Sequence, residues 1–299
     1  MYYATLRQKQ SERRALKQLI EFGNDTSKFI PNIIVKDSSQ ESLDELRTCY
    51  NALILLDVRE LDSDEIVLLE DLLRDEKNVN FEIMYPIEYI LNNETDESRR
   101  YVRIDASVIN SFFVKWLNEN HKNLPLSVML DFEFIDNGTT NLSKFQPVIE
   151  SLKNHDIIIS SGAIPQSVPV PSEENYTLKR FEKDLFSAAK QYVPENSRAF
   201  FGDYTSVSPI LSTGGRAIVQ IKYTLDDNYL FVRNGQRTGN YDFVAVCKEI
   251  SKLNEFNVSS CWGDSYIKQV VDENQNKGNP SVWTSIGISK HIAVCLKEN

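Results

Sequence analysis

The stretch RAFFGDYTSVSP, residues 198–209, decides the fold because it completes a count. Ala199, Phe200 and Phe201 read as a buried strand, and Gly202 lets the backbone approach a neighbour closely. Asp203 and Tyr204 follow at once, and Pro209 bars a simple continuation. Earlier apolar, β-branched runs have the same character: YYATL (2–6), FIPNIIVKD (29–37), ALILLDV (52–58), NFEIMYP (80–86), YVRIDAS (101–107), LSVMLDFEFI (126–135) and DIIISSGAI (156–164). Between them lie stretches with helical spacing. In RQKQSERRALKQLIEFG, Ala15, Leu16, Leu19 and Ile20 share a face. Ser38 or Ser39 can cap SQESLDELRTCYN, and DSDEIVLLEDLLRDEK carries acids in its first turn. After the Pro-rich PQSVPVPSEENY, the segment TLKRFEKDLFSAAKQYV (177–193) reads as another helix.

Strands alternating with helices predict a parallel sheet, and eight such units before residue 210 fit a (β/α)8 TIM-barrel-like domain. An open doubly wound sheet is the rival, but no GxGxxG follows the first strand, so its common dinucleotide-binding version loses its main support. After residue 214 the pattern changes. RAIVQIKYT and NYLFVRNG flank LDD as an antiparallel hairpin, and three helical segments follow, the last being SVWTSIGISKHIAVCLKEN. The expected organisation is a barrel over 1–214 and a hairpin-plus-helices extension over 215–299, without a core of its own and packed on the barrel.

Composition narrows the function. The chain has 299 residues, 41% hydrophobic and 25% charged, with a net charge of -10. That charge argues against an extended nucleic-acid footprint, which needs a basic surface. Cys49, Cys247, Cys261 and Cys295 form no CxxC pair and read as reduced thiols. No apolar run approaches the roughly 20 residues that cross a bilayer, and the N-terminus lacks the apolar core of a signal peptide. A cytoplasmic protein without a membrane partner is expected.

A (β/α)8 barrel places its active site at the carboxyl ends of its strands. Here those ends supply Lys36, Asp57, Arg59, Tyr85, Asp105, Asp131, Glu133, Ser160, Ser161, Asp203 and Tyr204. Strand alternation puts Asp131 and Glu133 on one face. Such acids can bind Mg²⁺ or another hard cation, or divide into acid and base, with Asp131, Glu133, Asp203 and Tyr204 as catalytic candidates. Alternatively, they cap helices or pair with Lys36, Arg59 and Arg103. In IVQIKYT, Val219 and Ile221 share one face while Gln220 and Lys222 share the other, so Lys222 and Arg233 are expected to face Asp203 and Tyr204. Lys9 and Glu12, one turn apart, can pair on their helix. STGGR (212–216) is an anion nest or a plain turn, and Arg233 with Arg237 a cationic lid or a solvated loop. With three histidines in the chain, a His-based triad has little material, and His291 reads as a helix residue rather than a catalyst.

Taken in order, MYYATLRQKQSERRAL, GDYTSVSP, AIVQIKYT followed by FVRNG, SCWGDSYI and VWTSIGISKHI resemble the beta protein family of phages and bacterial mobile elements, nearly end to end. Ala4 and Ser11 stand where that family carries proline and glycine in the first motif, and Lys290 precedes His291 where histidines are often paired. The resemblance implies an accessory or anti-phage defence gene carried beside a partner gene. It makes Lys9, Glu12, Asp203, Tyr204, Lys222, Arg233, Trp262, Gly263, Asp264 and His291 candidates without fixing a role. Three functions stay open. The first is a hydrolase or phosphodiesterase-like enzyme with an acidic mouth. The second is a non-catalytic ligand-binding or sensing subunit, with Lys9, Glu12, Lys36, Asp105, Lys222, Arg233, Asp264 and His291 as ligand-binding candidates for a small anion. The third is a structural partner of a protein encoded nearby.

Overall fold

The computed structural model describes residues 1–92, 98–211, 217–236 and 242–298. STGGR and Arg237 lie outside the described residues. Strands β1 (Tyr2–Arg7), β2 (Phe29–Ile34), β3 (Ile54–Asp57), β4 (Phe81–Pro86), β5 (Tyr101–Asp105), β6 (Ser127–Phe134), β7 (Asp156–Gly162) and β9 (Arg198–Asp203) form a closed barrel. Every neighbouring pair is parallel, and β9 closes the ring on β1 with Tyr2 opposite Phe201 and Ala4 opposite Asp203. The fold is a (β/α)8 TIM-like barrel. The opening stretch is indeed its last strand. A Cβ on Gly202 would stand 3.2 Å from Ser160 Cβ and 3.3 Å from the Tyr3 carbonyl oxygen, so the closing strand needs a glycine there.

The chain divides into two compact units that interleave in sequence. The first holds 1–8, 29–163 and 181–204, and the second 9–28, 164–180 and 205–299. In the first unit, helices α2 (Gln40–Cys49), α3 (Ser63–Leu73), α4 (Ile87–Asn92), α5 (Ser111–Asn120), α6 (Leu142–Ser151) and α7 (Phe181–Lys190) alternate with the strands. Ser39 caps α2, and Asp62 with Glu65 makes a capping box on α3. Tyr3, Ile30, Leu55, Met84, Met129 and Ile158, from six strands, pack into one apolar cluster. Two residues further along their strands stand Thr5, Asn32, Asp57, Asp131 and Ser160, all buried. Period-two alternation carries the interior from an apolar layer to a polar one at the carboxyl ends.

The second unit holds α1 (Gln10–Glu21), α8 (Phe243–Ile250), α9 (Trp262–Glu273), α10 (Pro280–Glu298) and an antiparallel sheet. The sheet runs β10 (Ile218–Thr224), β11 (Asn228–Gln236), β8 (Tyr176–Lys179). The expected hairpin is β10–β11, but the segment read as one helix over 177–193 begins as strand β8, with α7 starting only at Phe181. Nor is the C-terminal segment coreless: Val219, Ile221, Tyr223, Val232, Phe243, Trp283 and Ile286 belong to a buried cluster within this unit. Trp283 stacks on Phe243 with ring centroids 4.9 Å apart. Helix α10 packs on α1, where Ser285 donates to the Ser11 carbonyl at 2.9 Å, and on β10. No described helix is long and apolar enough to cross a membrane.

Candidate functional site

The barrel mouth is knitted into an ionic network. Arg59 forks onto Asp57, Nε to Oδ1 at 3.0 Å and Nη2 to Oδ2 at 2.5 Å. The same Nη2 lies 2.9 Å from Asp131 Oδ2, and Nη1 donates to the Tyr204 hydroxyl at 2.9 Å. Tyr204 in turn donates to Asp131 Oδ2 at 2.6 Å. Asn32 adds a bond to Asp57 at 3.1 Å, and Arg103 binds Asp105 at 2.9 Å and approaches Asp131 to 3.7 Å. Asp57 and Asp131 are fully buried.

The electrostatics follow from this pairing. Burial pushes the Asp57 carboxyl up, but Arg59, Arg103 and the Asn32 amide outweigh it and hold it below its ordinary value. Burial likewise opposes Asp105, yet Ser107 and Arg103 keep it low. Tyr204 is raised well above its ordinary value by burial and then by Asp131. Glu133 goes the other way from the aspartates: partial burial, then Asp131 and Asp105, raise it.

Register relates three of the acids. Asp105 pairs with Asp131 across β5–β6, and Asp131 and Asp203 stand opposite consecutive residues of β7, Ser160 and Ser161. Asp131 and Glu133 do not share a face as alternation predicted. The β6–β7 register shifts between Asp131 and Phe134, and Glu133 turns left-handed at φ 55°, leaving its side chain exposed while its N–H donates to Asp131 at 3.0 Å. Asp203 is fully buried and accepts from the Tyr2 hydroxyl at 2.6 Å. Lys36 is exposed beyond the end of β2. The alternative reading, acids paired with arginines, holds for Asp57, Asp105 and Asp131. Asp57 and Asp131 offer little to a hard cation, because their oxygens already engage Arg59, Tyr204 and Asn32. Three buried polar atoms, Asn32 Oδ1, Ser160 Oγ and Arg103 Nε, have no hydrogen-bond partner among the described residues.

The second unit carries a different site. A cavity of about 240 Å³ is lined by Lys9, Ser11 and Glu12 at the start of α1, by Ser206 and Val207, by Gln220 and Lys222 of β10, and by Trp283, Thr284 and Gly287 of α10. Lys9 and Glu12 do not pair on the helix as expected: Lys9 is exposed at the N-cap, while Glu12 is buried and accepts from the Ser11 hydroxyl. Alternation along β10 runs as the sequence indicates, with Val219 and Ile221 in the core and Gln220 and Lys222 half-buried on the other face. The Lys222 ammonium lies 5.7 Å from the centre of the Phe231 ring, and no described carboxylate forms an ion pair with it. Burial pushes it down to about 8. An added Cβ on Gly287 would stand 2.8 Å from the Lys222 carbonyl oxygen, so a glycine allows α10 to approach β10 this closely.

Arg233, Asp264 and His291 each have partners within the second unit. Arg233 donates to the carbonyls of Val170 and Pro171 at 3.3 and 2.8 Å, tying the segment before β8 to β11. Within the first unit Tyr204 is engaged by Asp131 and Arg59, and within the second Arg233 is engaged by these carbonyls. Asp264 is fully buried and accepts from Tyr223 at 2.8 Å, Ser260 at 2.9 Å, Lys290 at 2.9 Å and the Asn257 N–H at 3.1 Å. His291 is buried between Thr224 Oγ1 at 3.1 Å and Cys295 Sγ at 3.3 Å, stacked on Tyr229. Sequence reasoning missed Ser206, Gln220, Trp283 and Thr284 as cavity walls. Only the Gln220–Lys222 alternation hinted at one of them.

A family model described as Beta protein matches residues 92–297. The chain belongs to the Beta protein family. The Beta protein match covers β5 through most of α10, so it takes in Tyr204, Ser206, Lys222 and Asp264 and leaves Lys9, Glu12, Asp57 and Arg59 outside. No curated protein matches the chain.

Proposed function

We propose that this Beta protein is a small-ligand-binding, sensing component that captures a small anion in the cavity of its second unit. One observation carries the reading: Lys9 and Lys222 line a single cavity with Glu12, hydroxyls and an amide, and among the described residues no carboxylate forms an ion pair with Lys222. A half-buried cation left unpaired is costly in the absence of an anion and favourable in its presence. At the barrel mouth, by contrast, Arg59 and Arg103 pair with Asp57, Asp105 and Asp131. In the mobile-element setting that the family resemblance implies, such a component would act in the cytoplasm and pass its ligand state to a protein partner. Calorimetric titration with inorganic phosphate, sulfate and acetate tests the reading. The wild type is expected to bind at least one, and Lys222→Met to weaken it at least tenfold, about 1.4 kcal/mol. Absence of binding across the three, or equal binding by the variant, would overturn it.

A second reading, a hydrolase at the mouth, is favoured by one observation. Glu133 is raised while Asp57 and Asp105 are lowered, the separation an acid–base pair needs. It predicts turnover of an activated phosphodiester such as bis(p-nitrophenyl) phosphate that Glu133→Gln abolishes. No turnover by the wild type removes it.

A further inference from the structure

We propose that Lys222 is a covalent anchor, forming an imine with the carbonyl of a small oxo acid whose anionic group meets Lys9. The proposal rests on the reading that this cavity captures a small anion, and it names the ligand's chemical class. Two lysines of the second unit show why the assignment falls on Lys222. Lys290 is buried and donates to Asp264 at 2.9 Å and to the Glu255 carbonyl at 2.9 Å. Lys222 has neither kind of partner among the described residues and lines an open cavity instead. Burial also keeps its basicity low, to about 8, so about a tenth of it is free amine at pH 7. A desolvated lysine of this kind is the usual amine nucleophile toward carbonyl groups.

The cavity suits the chemistry. At about 240 Å³ it exceeds the roughly 150 Å³ that holds a benzene ring, which limits the ligand to a small molecule. Ser206 and Thr284 bring hydroxyls and Gln220 an amide that can hold the oxygen of the addition intermediate. In the step itself the Nζ lone pair attacks the carbonyl carbon, forming a C–N bond and a hydroxyl. The hydroxyl then leaves as water as the C=N bond forms, and both amine protons end in that water. Nothing is oxidised or reduced.

Incubating the full chain with glyoxylate and sodium cyanoborohydride, then mapping the product by mass spectrometry, tests this. The expected result is a single reduced adduct on Lys222, absent from Lys222→Arg, which keeps the charge and checks that the fold survives. Adducts spread over exposed lysines, or an unchanged yield in Lys222→Arg, would overturn the proposal. Failure here is separable from failure of the binding reading. Anion binding that Lys222→Met weakens, with no glyoxylate adduct, rejects the imine and keeps the site, whereas loss of both rejects the site itself.

Discussion

Arg59 and Lys222 are both cations withdrawn from water, and their surroundings send them in opposite directions. Arg59 meets Asp57, Asp131 and Tyr204 and stays charged, whereas Lys222 meets none and loses basicity. Removing Asp57 would strand a buried guanidinium. Asp57→Ala should therefore destabilise the fold by about 3–5 kcal/mol in urea unfolding, the usual result of breaking a buried pair on one side. Because the folded carboxyl titrates below its unfolded value, that stability is complete above about pH 4 and lost as pH falls through the folded value. Lys222 has the reverse consequence. Between about 8 in the fold and about 10.4 in the unfolded chain, the unfolded state holds the extra proton, so this group's contribution to stability rises with pH across that window. Below it, the fold bears a desolvated charge. Lys222→Met should accordingly raise stability at pH 7 by about 1 kcal/mol while weakening anion capture, the trade expected of a functional residue. A fall in Tm would mark Lys222 as scaffold.

At the scale of elements, period-two alternation was legible and its interruptions were not. The step from Tyr3, Ile30, Leu55, Met129 and Ile158 to Thr5, Asn32, Asp57, Asp131 and Ser160 follows from counting by two along each strand. The bulge at Glu133 could not be counted, because nothing in LDFEFI marks a left-handed residue there. Strand β8 escaped for another reason: its residues are half-buried or exposed, and TLK runs without a break into the amphipathic pattern of α7. Helix α10 depends on a contact that sequence patterning cannot display, the approach of Gly287 to β10. Gly287→Ala should destabilise the protein by about 1–3 kcal/mol, as overpacking does, and should weaken anion capture because Ser206 Oγ stands only 3.0 Å from the added Cβ. An unchanged Tm in thermal unfolding would show that α10 can move away freely.

Over the whole molecule, the strand–helix count predicted the closed barrel, whose polar strand ends include Asp57, Asp105 and Asp131. Their pairing with Arg59 and Arg103 was visible only as one option, because register and bulges decide which charges touch. The second-unit cavity was legible only in pieces, as single candidates such as Lys9 and Lys222 and the Gln220–Lys222 alternation. Its walls come from the start of α1, from β10 and from α10, joined by contacts such as Ser285 to Ser11 between residues at opposite ends of the chain. The most direct measurement is anomalous diffraction from crystals soaked in selenate, with wild type and Lys222→Met compared. The account predicts a selenium peak beside Lys222 in the wild type and none there in the variant. A peak against Arg59 and Arg103 in both proteins, with nothing beside Lys222, would contradict it.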